Sequence, residues 1–265
     1  MTAEDKTRAL EQRIDDLTAR LGMVEDELAI RRLQHTYGYF IDKCLYEEAV
    51  NLFSDRGETY FLGGVFKGRA GVRRLYAGRL GQKFAGGKNG PTHGLLLDHL
   101  TMQDVIHVAP DRLSAKGRFR CFMQGGSHES VAKIEEPFWE GGVYENTYLR
   151  EDGVWKIGVL NYNVLFYAPY DKGWGRVKPG YAVPAFSKTF PEDPLGPDEL
   201  NSLKANFWPA TNVVPFHYPH PVTGEPLNNL NNLNNSNNPN QPPNHSSSAA
   251  APPANTSPGK SPVSK

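Results

Sequence analysis

The stretch YENTYLREDGVWKIGVLNYNVLF, residues 144–166, decides the fold of this chain. Two runs typical of β-strands flank Asp152-Gly153, and an Asp-Gly pair between such runs is a strong signal for a β-hairpin. Several Tyr and Asn side chains lie within the strands rather than at the turn. Polar groups on a face that should be apolar indicate the lining of a pocket. A polar outer face on an ordinary antiparallel sheet fits the same pattern.

Composition limits the classes of function. The 265 residues carry 29 basic and 29 acidic side chains, so the net charge predicts binding to neither nucleic acid nor a membrane. Cys44 and Cys121 are the only cysteines, which excludes a disulfide framework and favours a reducing compartment. No apolar run approaches the ~20 residues that span a bilayer, and the charged N-terminus lacks the apolar core of a signal peptide. We therefore expect a cytoplasmic protein.

Helical patterns come first along the chain and strand patterns follow. Residues 3–50 read as helix, and residues 72–80 read as a further helix. Strand patterns occur at residues 59–66, 93–108, 113–124, 142–149 and 154–166. This order predicts an α+β fold, with helices on one face of a curved antiparallel sheet.

The two ends of the chain differ from its centre. Residues 1–28 are predicted to form a helical arm, because six apolar side chains alternate steps of four and three like a coiled-coil seam: Leu10, Ile14, Leu17, Leu21, Val24 and Leu28. Residues 168–226 are rich in Pro, Gly and aromatic residues, and we predict an ordered segment that wraps over the domain or a neighbouring subunit. Residues 227–265 are dominated by Asn, Pro, Ser and Ala and are predicted to be disordered.

Four segments, in order, resemble the SnoaL-like branch of the NTF2-like superfamily: AIRRLQHTYGYFIDKCLYEEAVNLFSDRG, GGVFKGRAGVRRLY, DHLTMQDVIHVAPDRLSAKGRFR and GGVYENTYLREDGVWKIGVLNY. The resemblance covers residues 29–167. It implies a cone-shaped α+β barrel, in which a bent antiparallel sheet surrounds a long helix and leaves a hydrophobic cavity. Relatives include scytalone dehydratase, ketosteroid isomerase and polyketide cyclases, while others only bind ligands, so the fold does not fix the reaction. Because relatives are often dimers or trimers, we expect a homo-oligomer.

The resemblance to scytalone dehydratase supplies candidate catalytic residues. Asp42 falls on an aspartate that lines the pocket, and it would orient a histidine; helical spacing puts Tyr39 on the same face. A solvated helix face explains the same spacing. His99 falls where that enzyme has a catalytic histidine, and an imidazole can move protons near neutral pH, although a structural histidine is the alternative. Tyr60 aligns loosely with a tyrosine that positions water.

A second group of residues is predicted to contact the substrate. His93 lies at an even step from His99, so both point to one side of a strand. The second histidine of the dehydratase is missing near Met123, and His128 is the candidate replacement. The full set predicted to bind substrate is His93, Tyr46, Gln124, His128, Trp139, Tyr144 and Asn161.

The sequence lacks the motifs of several other kinds of site. The histidines match no metal-binding spacing, and there is neither a dinucleotide fingerprint nor a serine nucleophile motif, so we predict no metal and no cofactor. The first functional hypothesis is a cofactor-independent lyase that removes water or formaldehyde from a small aromatic or polycyclic substrate. An isomerase or a cyclase would use the same groups. A non-catalytic binding module and an oligomerisation scaffold are the rival hypotheses.

Overall fold

The computed structural model describes residues 2–131, 136–178, 181, 184–201, 208–211 and 213–227. Apart from Leu227, the predicted disordered tail at 227–265 lies outside the described residues. Within the described part of the chain, no helix combines the length and apolar character needed to cross a membrane.

The first helix, α1 (Ala3–Asp42), is both the predicted arm and the central helix of the domain. It begins at a capping box, in which the Thr2 side chain and the Asp5 side chain each accept a hydrogen bond from the other residue's backbone N–H. Its N-terminal half is exposed. From Gly22 onward a face with steps of three or four is buried against the sheet: Gly22, Asp26, Ile30, Gln34, Tyr37, Gly38 and Ile41.

The remaining elements follow in the predicted order. The helices are α2 (Tyr46–Asn51), α3 (Gly68–Arg73), a π-helical segment (Arg74–Leu80) and α4 (Gly81–Ala85), with a short 3-10 turn at Trp174–Arg176. The strands are β1 (Phe53–Phe61), β2 (Gly64–Lys67), β3 (Leu95–Val108), β4 (Ser114–Ser127), β5 (Phe138–Glu151), β6 (Val154–Pro169) and β7 (Glu199–Leu200).

The strands form one sheet in the order β3-β4-β5-β6-β1-β2-β7. All neighbours are antiparallel except β1 and β6, which are parallel. Register shifts interrupt β3 between Met102 and Val105 and the β5–β6 pair at Gly141-Gly142, and such irregularities bend a sheet. The sheet is bent but not closed, and this confirms the predicted α+β, NTF2-like fold.

The turns of two hairpins, β5–β6 and β1–β2, can be compared with the prediction. The predicted hairpin turn is present, and Asp152 and Gly153 have φ values of 50° and 80°. The single strand predicted at residues 59–66 is instead the hairpin β1–β2. Its turn residues Leu62 and Gly63 have φ values of 44° and 75°, so the chain reverses between them.

Buried polar contacts fix α1 against the sheet. The Asn146 side chain and the Tyr148 hydroxyl donate to Gln34 Oε1 at 3.0 and 2.8 Å. Closer to the N-terminal end of α1, Trp155 Nε1 donates to Asp26 Oδ1 at 2.9 Å. These contacts set the position of α1 along the sheet, and therefore the place where its last residue meets β3.

Candidate active site

A cavity of about 620 Å³ lies between α1, the inner face of the sheet and the segment from the π-helical turn into α4. This volume is within the range typical of small-molecule sites. Most of its lining is aliphatic or aromatic, and the ionisable residues among the lining include Tyr37, Tyr46, Tyr76, His99, Glu140, Tyr144 and Tyr162.

The predicted pair of His99 and Asp42 meets at the edge of this cavity. Asp42 is the last residue of α1, and its Oδ1 accepts hydrogen bonds from the His99 backbone N–H at 2.9 Å and from His99 Nδ1 at 2.6 Å. Each side chain is 11% exposed. Since a carboxylate only accepts, Nδ1 carries the proton, and in the neutral ring Nε2 keeps a lone pair. The contact at Nδ1 orients the ring, and the contact from the backbone N–H holds the carboxylate in place.

A row of directly opposed residues extends from His99 across the sheet. His99 is opposite Met123, Met123 is opposite Glu140, and Glu140 is opposite Tyr167. Opposed residues share a face, and all four line the cavity. Glu140 is thus two strands, roughly 10 Å, from His99. Sequence reasoning missed Glu140, because only the register of three strands connects it with His99.

The carboxyl group of Glu140 has an unusual environment. Burial raises the pKa of Glu140, and the attraction of the nearby Tyr162 hydroxyl and His99 only partly opposes this effect. The raised pKa makes this carboxyl easier to protonate than an ordinary glutamate. A carboxyl and an imidazole, two groups that can transfer protons, therefore lie on the same face of the cavity.

Glu140→Gln should change how stability depends on pH. A carboxyl whose folded pKa is raised binds its proton more tightly in the folded state, so the wild type loses stability as pH rises from about 4.5, the ordinary value, to the folded pKa. Glutamine does not titrate, so between these two pH values the variant should become more stable relative to the wild type. The gain in unfolding free energy is at most about 1.4 kcal/mol per pH unit. Urea unfolding of both proteins between pH 4 and pH 8 measures the difference.

The matched control for this experiment is Glu136→Gln, which makes the same chemical change at an exposed position just before β5. The change in unfolding free energy that Glu136→Gln causes at each pH is subtracted from the change that Glu140→Gln causes. If the stability gained by Glu140→Gln is then flat or falls with rising pH, the environment assigned to Glu140 is contradicted.

Neutral phenols surround the same space. The Tyr37 and Tyr76 hydroxyls are hydrogen-bonded at 2.9 Å. Burial raises the pKa of Tyr76 to about 12 and raises the pKa of Tyr144 well above its ordinary value. At neutral pH these groups are therefore hydrogen-bond donors, able to stabilise a developing oxyanion.

Tyr162 offers a hydroxyl to the cavity. It is directly opposite Tyr144 on the neighbouring strand, and their ring centroids are 4.6 Å apart. The Tyr162 hydroxyl is buried, and it lies close enough to the Glu140 carboxyl and the Cys121 thiol to lower the pKa of each, against the larger effect of burial. Gly142 permits this position, because a Cβ atom there would lie 2.5 Å from the Tyr162 ring. A neutral phenol at the cavity wall can donate a hydrogen bond to an oxygen atom of a ligand.

Part of the segment predicted to wrap the domain also lines the cavity. Phe186 packs on Phe66 at 5.5 Å between centroids and belongs to the cavity lining. The guanidinium of Arg79 lies over the Phe186 ring and pairs with Asp193 at 2.9 Å. Residues 184–194 therefore contribute to the wall of the cavity in their own chain.

Both of the predicted catalytic tyrosines lie outside the cavity. Tyr39 is 74% exposed, because Tyr37, Gly38 and Ile41 define the buried face of α1 and Tyr39 points away from it. Tyr60 points to the outer side of β1 and donates to Glu58 at 3.3 Å. Neither residue lines the cavity.

The predicted substrate-binding residues divide in the same way. Tyr46 and Tyr144 line the cavity. Three others are on the outer side of the sheet, because each is adjacent in its strand to a lining residue and side chains alternate: Gln124, Trp139 and Asn161. His93 and His128 are exposed and lie before β3 and after β4.

The fold and the cavity together define a small-molecule pocket of the NTF2-like type. The profile of a family described as SnoaL-like domain matches residues 22–161, more than half of the chain. The chain therefore belongs to the SnoaL-like family. No curated protein matches the sequence significantly.

Solved structures to which this chain is similar include LinA, which is 20% identical over 64% of this chain and 99% of LinA, with a TM-score of 0.47. A hexachlorocyclohexane dehydrochlorinase, LinA Type2, is 21% identical over 64% of this chain and 97% of its own, with a TM-score of 0.45. An NTF2-like protein with a cystatin-like fold from Novosphingobium aromaticivorans is 22% identical over 57% and 89%, with a TM-score of 0.42. At these levels the similarity concerns the fold and leaves the reaction open.

Proposed function

We propose that this protein is a cofactor-independent lyase that eliminates water or formaldehyde from a small aromatic or polycyclic substrate. The observation that carries the proposal is the orientation of His99 by Asp42 at the wall of a largely apolar cavity. An oriented imidazole with a free Nε2 is suited to removing a proton from a bound molecule. The apolar lining suits an aromatic substrate.

In the proposed dehydration each group has a role. His99 Nε2 removes a proton from the carbon next to a carbonyl, and the electrons move into an enolate held by neutral phenols such as Tyr162. The C–O bond of the adjacent carbon then breaks, and the proton of Glu140 joins the departing hydroxyl to give water. Asp42 touches His99 rather than the substrate and is a positioning residue.

Loss of formaldehyde would use the same base. His99 removes the proton of a hydroxymethyl O–H, the C–C bond breaks to release formaldehyde, and the bonding electrons pass into a conjugated carbonyl or quinone methide of the substrate, which becomes an enolate or a phenolate. A protonated donor then gives a proton to that oxygen.

One observation favours a second candidate, a small-molecule-binding protein without catalysis. The residue directly opposite His99 is Met123, which cannot transfer a proton. An isomerase or a cyclase remains an alternative within the first proposal, because these reactions need the same base and the same oxyanion donors. We also retain a cytoplasmic location; Cys44 and Cys121 are both free and buried.

A substrate screen tests the proposal. The full chain is incubated with aryl ketones that carry a β-hydroxyl and with hydroxymethyl-substituted diaryl phenols. New conjugated absorption reports loss of water, and a colorimetric assay reports formaldehyde. We expect turnover of at least one class, and no turnover of that class by His99→Asn.

Binding of 2-naphthol, a two-ring phenol, separates the two candidates. It is followed by intrinsic fluorescence, and we expect saturable binding that Tyr162→Phe weakens. Saturable binding with no turnover of either class would support the binding protein and overturn the lyase.

A further inference from the structure

The N-terminal half of α1 carries an apolar stripe that the described part of the domain leaves in solvent. Six large apolar side chains on this stripe are between 48% and 61% exposed: Leu10, Ile14, Leu17, Leu21, Val24 and Leu28. They alternate steps of four and three over 19 residues of continuous helix. Contiguous exposed apolar surface of this kind indicates an interaction site.

The domain does not use this stripe, because it packs on the opposite side of the same helix. Gly22, Asp26 and Ile30 face the sheet, whereas Leu21, Val24 and Leu28 face away. A partner helix can therefore approach the stripe without displacing the domain.

We propose that two copies of this chain pair through α1 as a parallel, in-register, two-stranded coiled coil. In heptad notation Ile14, Leu21 and Leu28 occupy the a positions, and Leu10, Leu17 and Val24 occupy the d positions. Ile14 at a and Leu17 at d follow the pattern of parallel two-stranded coiled coils. The helix is already formed and anchored in the domain, so association does not have to order it first.

Charges that flank the stripe select the parallel orientation. In a parallel pair each g residue meets the e residue five positions later on the other helix. Lys6 then meets Glu11 of the second copy, and Arg20 meets Glu25 of the second copy, so both contacts join opposite charges. In an antiparallel pair with the stripes overlaid, Arg20 would meet Arg20 and Glu11 would meet Glu25, although Arg13 would meet Glu27. The parallel pair avoids these like-charge contacts.

Light scattering on the full chain tests the assembly. We expect a mass of twice 29.5 kDa for the wild type. Leu17→Glu/Leu21→Glu places charges in the stripe and should give the monomer mass, with the dissociation constant raised more than 100-fold. Gln12→Glu/Ala19→Glu adds the same charges on the far side of the helix and should remain dimeric.

Unchanged binding of 2-naphthol by each variant confirms that the domain is folded. A monomeric wild type, a dimer that survives the stripe variant, or a trimer would each overturn the proposal.

Two further variants test the orientation. Glu25→Arg should weaken the dimer by juxtaposing like charges, and Arg20→Glu/Glu25→Arg should restore it. Leu10→Cys should form a disulfide between copies on mild oxidation, since parallel in-register helices place the two residues 10 side by side. In an antiparallel pair they would be about 27 Å apart, so absence of the disulfide with a retained dimer would contradict the parallel arrangement.

Discussion

Replacing His99 with asparagine should reduce turnover about 10²- to 10⁴-fold, the range contributed by a general base or acid. Asparagine preserves size and polarity but cannot take a proton. Affinity for 2-naphthol should change less than about threefold, because the cavity wall is otherwise intact. The measurement is kcat on the substrate found by the screen, beside a fluorescence titration with 2-naphthol.

Two further variants, Asp42→Asn and Lys43→Ala, are compared with His99→Asn. Asp42→Asn keeps an oxygen near His99 Nδ1 but removes the charge, so we expect a smaller loss that affects kcat more than KM. Lys43→Ala, at the exposed residue next to Asp42, should leave kcat unchanged. Full activity of His99→Asn would remove His99 from the mechanism. Loss of 2-naphthol binding together with activity would show a structural role instead.

Arg112→Met should destabilise the domain by about 3 kcal/mol. The Asp26 side chain is 4% exposed, and it accepts hydrogen bonds from Arg112 Nε at 2.5 Å and from Trp155 Nε1. Burial alone would raise the pKa of Asp26, but these two donors outweigh it and the pKa is lowered. Methionine keeps the aliphatic stem of Arg112 and leaves a buried carboxylate with weaker compensation, chiefly Arg150 at 3.4 Å.

Urea unfolding at fixed protein concentration measures this cost. Asp26→Leu/Arg112→Met removes both charges and should recover most of the lost stability, whereas Arg120→Met changes an exposed arginine of the sheet and should cost less than about 0.5 kcal/mol. A cost below about 1 kcal/mol for Arg112→Met would show that Arg150 and Trp155 alone hold Asp26.

Local patterns in the sequence predicted much of the fold. The Asp152-Gly153 turn and the two runs beside it gave a correct hairpin, since a two-residue turn with positive φ determines how its strands pair. Leu62-Gly63 lacks the Asp-Gly or Asn-Gly signal, so the sequence predicts one strand where the structure has two. Tyr60 entered the predicted site through a loose alignment with a tyrosine of scytalone dehydratase, whereas its side chain points outward.

The candidate site depended on information that local patterns do not hold. Asp42 and His99 are 57 residues apart, and the resemblance to a known family brought them together before the structure did. Tyr39 was chosen by spacing from Asp42, whereas the position of the sheet makes Tyr37 the inward tyrosine. Glu140 needed the register of β3, β4 and β5, which no short stretch encodes.

The proposed function requires that Asp42 holds His99 with Nε2 available to a molecule in the cavity. Nitrogen-15 NMR of the histidine side chains at pH 8, with His99→Asn to assign the signals, measures the protonation of both ring nitrogens. We predict a protonated Nδ1 and an unprotonated Nε2 for His99, and a change in the Nε2 resonance when 2-naphthol is added. A protonated Nε2 with an unprotonated Nδ1, or an Nε2 resonance that does not change at saturating 2-naphthol, would contradict this arrangement.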